Sequence, residues 1–158
     1  MLKQNKQLPA WTNAFTNKVY NSVEDFEEDT VGFVYIITFM DGTKYIGKKA
    51  LYTELWTPRQ NAIKAHPKAV RSKACNTGEG HRRIYDLIIR EGPWKTYKGS
   101  SKETAVRTPI KREVLYEAKS NRELTYLEAK ALFQYNVLET DLFLNSNILG
   151  KFFRNNLK

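Results

Sequence analysis

The chain has 158 residues, with 26 lysines and arginines against 17 aspartates and glutamates, so its formal net charge is +9 at pH 7. This length is typical of one domain with a modest core, and a basic surface of this kind favours polyanions, with nucleic acid ahead of an anionic membrane. No apolar run approaches the roughly 20 residues of a membrane-spanning helix, and the N-terminus lacks the apolar core of a signal peptide. Cys75 is the only cysteine, which excludes a disulfide framework. We therefore expect a cytoplasmic protein with no membrane partner.

The first predicted elements are a polar N-terminal arm, residues 1–30, with one helical turn, and a β-hairpin over residues 31–49. The hairpin follows from two short apolar runs on either side of Asp41-Gly42, a dipeptide typical of hairpin turns. Each apolar run contains one tyrosine. The function of the hairpin therefore depends on where these tyrosines point.

Two hairpin registers are compatible with the sequence. If the turn has two residues, Tyr35 and Tyr45 lie on opposite faces of the hairpin. If the loop has three residues, with Gly42 in the left-handed region, Tyr35 faces Gly47, and Tyr45 and Lys49 share that face. A plain hairpin with half-buried tyrosines is the structural alternative.

A basic insertion, residues 50–97, follows the hairpin. Thr57 and Pro58 predict a helix start, with Thr as N-cap and Pro at the first helical position. The segment GHRRIYDLIIREG, residues 80–92, predicts a second helix because three of its apolar residues share one helical face. The cations that we expect to contact phosphate groups in this insertion are Arg59, Lys64, Lys68, Arg71, Lys73, Arg82 and Arg83.

The remaining elements complete a small mixed fold. Ser100 or Ser101 is expected to cap a short helix, and the alternating pattern of residues 110–116 predicts a strand. A longer helix follows over residues 121–138, and residues 149–158 form a basic tail. The order of elements indicates an α/β (α+β) fold with a small, mainly antiparallel three-stranded sheet flanked by helices.

Glu128 is the carboxylate that the helical pattern singles out. An anion on an apolar helix face is costly to bury unless it is paired or binds a metal. An ion pair with Lys111 or an arginine is the structural alternative to a metal. The residues that share this helical stripe are Leu124, Glu128, Ala131, Tyr135 and Leu138.

The motifs in the hairpin and beyond it resemble those of the GIY-YIG nuclease family, in particular its small phage-encoded members. Phe33-Val34-Tyr35, with Gly32 one place earlier than in the family pattern, stands for the first motif, and Tyr45-Ile46-Gly47 is the second. The blocks WKTYKGSS, IKREVL and TYLEAKALFQYNVL follow in the family's order. The resemblance covers residues 31–148, which we interpret as a nuclease domain that contains the insertion.

The resemblance implies hydrolysis of DNA phosphodiesters with one divalent metal ion. Tyr35 is then the water-activating group or its relay, and Lys48 and Lys49 are the cations close enough to lower its pKa. Tyr45 would hydrogen-bond the phosphate or assist the base. Glu128 would be the metal ligand, for Mg²⁺ or Mn²⁺.

The family also implies an arginine that grips the scissile phosphate, and the long insertion prevents its assignment by counting. Arg59 is nearest to the usual spacing, whereas Arg83 lies at the start of the better predicted helix, where backbone N–H groups favour phosphate. Arg71 and Arg82, together with Lys48, are expected to contact DNA. Asn145 and Asn147 lie where some family members have a structural or substrate-orienting asparagine.

The sequence therefore predicts a metal-dependent endonuclease that acts on double-stranded DNA, with a homodimer or a partner subunit as possible assemblies. One alternative is a nucleic-acid-binding module that does not cut. Another is a nuclease subunit that depends on a partner for DNA recognition. Tyr35 and Glu128 distinguish the nuclease from the binding module, because binding alone does not require them.

Overall fold

The structure is a computed structural model that describes residues 7–59, 68–76, 78, 80 and 82–157. The strands in chain order are β1 (Trp11–Asn13), β2 (Val19–Tyr20), β3 (Gly32–Phe39), β4 (Lys44–Ala50), β5 (Tyr52–Pro58), β6 (Ala69–Asn76), β7 (Arg82–Glu91), β8 (Pro109–Ala118), β9 (Asn147–Ile148) and β10 (Phe152–Phe153). The α-helices are α1 (Lys102–Ala105) and α2 (Asn121–Gln134), and short 3-10 turns lie at Val23–Asp25 and Arg154–Asn156. The chain forms a core unit, up to Leu51 and from Pro93 onward, and an inserted unit, Tyr52–Gly92.

The core unit is built on a five-stranded sheet in the order β2-β1-β8-β3-β4. The three predicted strands form its β8-β3-β4 part, and both of their pairings are antiparallel. Two further strands come from the predicted N-terminal arm, where β1 runs parallel to β8. Trp11 explains this addition, because its side chain is buried in the core and fixes β1 against the sheet. The fold is thus a mixed α/β arrangement with mostly antiparallel sheets and few helices.

The hairpin has the three-residue loop. Phe39 donates its N–H to the carbonyl oxygen of Thr43 at 2.9 Å, and Gly42 has a φ of +83°. In this register Tyr35 pairs with Gly47 and Ile37 pairs with Tyr45. The two tyrosines therefore lie on one face of the sheet.

The sheet separates two hydrophobic clusters. On one side, Val34, Ile36 and Ile46 pack against α2, whose Leu124 and Ala131 are buried. This contact explains why α2 forms where the periodicity predicts it, although the helix ends at Gln134 rather than at residue 138. The other side holds an aromatic cluster that includes Trp11, Tyr20, Phe26, Phe33, Tyr35 and Trp94.

The inserted unit corrects two helix predictions. Thr57 and Pro58 end strand β5, and residues 82–91 form β7, the central strand of a three-stranded antiparallel sheet in the order β5-β7-β6. The apolar spacing of Ile84, Leu87 and Ile88 fits a helix, but β-branched and aromatic residues favour a strand once two neighbouring strands are present. Arg82 and Arg83 therefore have no helix N-terminus around them. Lys64 lies outside the described residues.

The short helix α1 begins at one of the two predicted cap residues. Ser101 is the N-cap of α1, where its hydroxyl accepts a hydrogen bond from the Thr104 N–H at 3.1 Å. No helix in the described part of the chain has the length and apolar character that crossing a bilayer requires.

Candidate active site

Tyr35 lies directly over the glycine of the second tyrosine motif. A Cβ atom at Gly47 would be 2.5 Å from the Tyr35 hydroxyl oxygen and 2.9 Å from its Cζ atom. The space that glycine leaves is thus filled by the phenol. The Tyr45 ring is adjacent, with its centroid 6.4 Å from that of Tyr35. The residue type at position 47 is therefore required by the packing of both tyrosines.

The environment of Tyr35 makes it a neutral phenol. Its ring is fully buried, and this burial raises the pKa of Tyr35 well above its ordinary value, with Tyr97 as the next largest cause. The expectation that Lys48 and Lys49 lower this pKa is therefore wrong for the protein alone. Burial likewise raises the pKa of Tyr45. Any function of Tyr35 must begin from its protonated form.

Tyr97 is a third tyrosine of the site, and sequence reasoning missed it. The Tyr35 hydroxyl donates to the Tyr97 hydroxyl over 3.3 Å, and their ring centroids are 5.6 Å apart. The Lys49 ammonium lies 4.4 Å from the centroid of the Tyr97 ring. Lys49 therefore lies on the face of the sheet that the sequence predicts for it, and the residue that it contacts there is Tyr97. The feature of the sequence that could have pointed to Tyr97 is the WKTYKGSS block, because it contains this tyrosine and follows the hairpin in the family's order.

Arg112 holds the segment that bears Tyr97 in place. Its buried guanidinium donates to the carbonyl oxygens of Lys95 and Tyr97, both at 2.8 Å, and to that of Pro9 at 2.6 Å. Because Arg112 lies on β8, the central part of the sheet sets the position of the third tyrosine.

Glu128 lies on α2, which packs on the other side of the sheet from Tyr35, and its carboxylate reaches the same region at the edge strand β4. Its Oε2 atom is 3.2 Å from the Lys48 ammonium, which also donates to the Thr125 hydroxyl at 2.9 Å. The partner of Glu128 is therefore Lys48 rather than Lys111 or an arginine. The charge of Glu128 is close enough to contribute to the raised pKa values of both Tyr35 and Tyr45.

A cavity of about 300 Å³ lies in the core unit between side chains of the candidate site. Tyr45 and Glu128 both line it, and Tyr45 is also 3.4 Å from the hydroxyl of Ser100. The other polar residues of the lining are Ser101, Glu103, Asn145, Ser146 and Asn147. The cavity therefore joins a phenol, two carboxylates and several hydroxyl and amide groups.

Asn145 has a structural role in the wall of this cavity. Its side-chain amide donates to the Ile46 carbonyl oxygen at 2.8 Å and accepts from the Ile46 N–H at 3.0 Å, so it pairs with the edge strand as another strand would. Arg154 fixes this segment by donating to the carbonyl oxygens of Val137, Phe143 and Asn145. Asn147 instead accepts a hydrogen bond from the Gly150 N–H.

The candidate arginines lie in the inserted unit. Arg59 is bound to the buried carboxylate of Asp86 at 2.8 Å and to the Ser72 hydroxyl at 3.0 Å, which gives it a structural partner there. The side chains of Arg71, Arg82 and Arg83 are exposed on β6 and β7.

The donor set in the core unit fits a magnesium ion that keeps most of its water. Within the described ranges, no group of three or more His, Cys, Asp or Glu residues could hold a metal ion. Glu128 is the ligand that the sequence predicts, Glu103 lines the same cavity, and Mg²⁺ is commonly bound by one or two carboxylates with waters and substrate phosphates. The Lys48 ammonium beside Glu128 shows that this position accommodates positive charge.

A hairpin with two facing tyrosines, a glycine beneath them and a helix-borne glutamate defines the class as a GIY-YIG domain. Residues 11–148 match the family described as "Putative endonuclease segE, GIY-YIG domain". The chain therefore belongs to this GIY-YIG family. The match begins at β1, so it includes the first strands of the predicted arm as well as the whole inserted unit. No curated protein and no solved structure matches the chain.

Proposed function

We propose that the protein is a divalent-metal-dependent endonuclease that hydrolyses phosphodiester bonds of double-stranded DNA. Membership of an endonuclease-type family supports the general activity. The observation that supports the finer proposal is the meeting of Tyr35, Tyr45, Tyr97 and Glu128 around the middle of β4. A binding module has no need of a buried tyrosine that contacts a second hydroxyl and lies near a carboxylate.

In this proposal Tyr35 acts as a proton relay rather than as an ionised base. Its raised pKa keeps the proton on its hydroxyl, and the hydrogen bond to Tyr97 gives a neighbouring oxygen to which that proton can pass. As the Tyr35 oxygen accepts a proton from the attacking water, it passes its own proton to the Tyr97 oxygen, and half-buried Tyr97 releases its own proton to solvent, so that no phenol carries two protons. The Lys49 ammonium, 4.4 Å from the centroid of the Tyr97 ring, helps to hold that ring beside Tyr35 through a cation–π contact.

Glu128 would hold Mg²⁺ or Mn²⁺, which when bound supplies charge stabilisation for the pentacoordinate phosphate and help for the leaving oxygen. Tyr45, half-buried beside the cavity, would donate its hydroxyl hydrogen to a phosphate oxygen. Lys48 supplies a cation next to the carboxylate and so balances its charge before substrate arrives.

Cleavage of supercoiled plasmid with Mg²⁺, with Mn²⁺ and with EDTA tests this proposal. We expect nicking or linearisation that EDTA abolishes. Tyr35→Phe removes one hydroxyl and keeps the ring, so it should lower the cleavage rate by about 10²–10⁴-fold, the usual contribution of positioned proton transfer.

Two matched variants control for the loss of a hydroxyl or a carboxylate. Tyr126→Phe changes an exposed tyrosine on α2, and Glu139→Gln changes an exposed glutamate beyond that helix. Both should cut DNA as the parent does, whereas Glu128→Gln should not. A folded parent that binds DNA but never cuts it, under either metal, would show that the chain is a binding module.

A further inference from the structure

The sheet of the inserted unit has two chemically different faces. Trp56 and Arg71 are both opposite Leu87 in the strand register, and Lys73 is opposite Tyr85. Residues opposite one another in antiparallel strands share a face, and residues two apart on one strand do as well. The Trp56 face is therefore defined by Trp56, Arg71, Lys73, Arg83 and Tyr85.

On the opposite face the central charges are paired with each other, whereas the exposed Arg82 and Arg90 lie near the two ends of β7. There the Asp86 carboxylate accepts hydrogen bonds from Arg59 and from the Ser72 hydroxyl, the latter at 2.6 Å. Arg82 and Arg90 lie on the same face as Asp86, because each is an even number of positions from it along β7, whereas Arg83 is an odd number away. The two arginines that are adjacent in sequence, at positions 82 and 83, thus lie on different faces.

On the Trp56 face the tryptophan holds cations against its ring. The Lys73 ammonium is 4.2 Å, and the Arg71 guanidinium carbon 5.4 Å, from the Trp56 ring centroid. Alternate positions on a strand are about 6.6 Å apart, so these two cations and Arg83, opposite Cys75, form a spaced row along the sheet. Glu54 and Glu91 lie on this face towards its other end. Positive charge is therefore concentrated at one end of the face.

We propose that the Trp56 face binds the phosphate backbone of duplex DNA. A row of exposed cations is complementary to a regular series of phosphates. The tryptophan surface is already occupied by two cations, which favours backbone contact over the stacking of an unpaired base. The identity of the polyanion rests on the proposed function, whereas the assignment of residues to each face rests on the strand register.

Binding of a fluorescent duplex to the full chain in EDTA tests the proposal without any need for cleavage. Arg71→Gln with Arg83→Gln removes two arginines from the Trp56 face, and Arg90→Gln removes one from the opposite face. The first pair should lower the log–log salt slope by about 1.8, since each phosphate contact contributes about 0.9. Arg90→Gln should leave both slope and affinity near those of the parent.

Two further measurements make the outcome decisive. Trp56→Leu should weaken binding about two- to fivefold, which corresponds to the free energy of an exposed cation–π contact. Lys73→Gln is a single substitution on the same face that can be used if a double variant fails to fold. A single strand of the same sequence should bind more weakly than the duplex. Equal losses from both faces, no loss from the Trp56 face, or a preference for the single strand would overturn the proposal. Face-specific binding by a chain that never cuts DNA would instead refute only the proposed nuclease.

Discussion

Gly47→Ala is the sharpest test of the tyrosine arrangement. The new methyl carbon would lie 2.5 Å from the Tyr35 hydroxyl oxygen, 2.9 Å from Tyr35 Cζ and 3.1 Å from Tyr45 Cε1. The Tyr35 ring cannot swing away easily, because it is fully buried and its centroid is 5.5 Å from that of Trp11. Overpacking of this kind costs about 1–3 kcal/mol, which for a chain of this size lowers the melting temperature by about 2–12 °C.

Thermal melts of three variants measure this effect. Gly78→Ala is the control, because a Cβ atom there meets nothing within 4 Å, and its stability should stay within about 0.5 kcal/mol of the parent. Tyr35→Phe removes the nearest atom of the clash, so Gly47→Ala should cost clearly less in that background. A Gly47→Ala protein as stable as the parent, or one whose cost is unchanged by Tyr35→Phe, would refute the packing described for the site.

Three other outcomes follow from the structure. Glu128→Gln should abolish plasmid cleavage while lowering the free energy of unfolding by no more than about 1 kcal/mol, since its ion pair is partly exposed; a large loss in a melt would contradict this. Burial raises the pKa of Tyr20 to about 12, so the fold favours its neutral form, and stability should be level below about pH 10 and fall as pH rises to 12. Urea unfolding at pH 9 to 12 should show a smaller fall for Tyr20→Phe, and an equal fall would assign the effect to other groups. Arg59→Gln should destabilise the chain because it removes a cation from buried Asp86, whereas Arg90→Gln should not; equal melting temperatures would argue against a structural Arg59.

The core unit was largely predictable because its elements have strong local patterns. The hairpin, the strand ending in residue 118 and the helix from Asn121 each combine clear periodicity with a turn or cap. The addition of β1 was not predictable, because three residues show no period and only the burial of Trp11 makes them a strand. The inserted unit failed for a different reason. Apolar residues spaced by three and four satisfy a helix, and only pairing with β5 and β6 makes β7 a strand.

The candidate site shows the same division between local and long-range information. Tyr35, Tyr45 and Glu128 were identified from short motifs and one helical stripe. Tyr97 could not be, because its contact with Tyr35 spans 62 positions of the chain and depends on the loop that Arg112 anchors. The ion-pair partner of Glu128 was not predictable either, because the sequence suggests a cation near Glu128 but does not identify it as Lys48.

The electrostatics of the site suggest why its charged groups lie around a buried neutral phenol. The Glu128 carboxylate is among the causes that hold the pKa values of Tyr35 and Tyr45 above their ordinary range, so a cation that neutralises it also makes both phenols more acidic. Lys48 already supplies part of that neutralisation at 3.2 Å. Lys48→Met should therefore raise these pKa values further, and in the proposed nuclease it should lower the cleavage rate at a fixed pH, because Tyr35 then gives up its proton less readily in the relay. Lys44→Met, at the start of the same strand, is the matched control. An unchanged cleavage rate in Lys48→Met would separate the ion pair from the chemistry and leave it as a contact between β4 and α2.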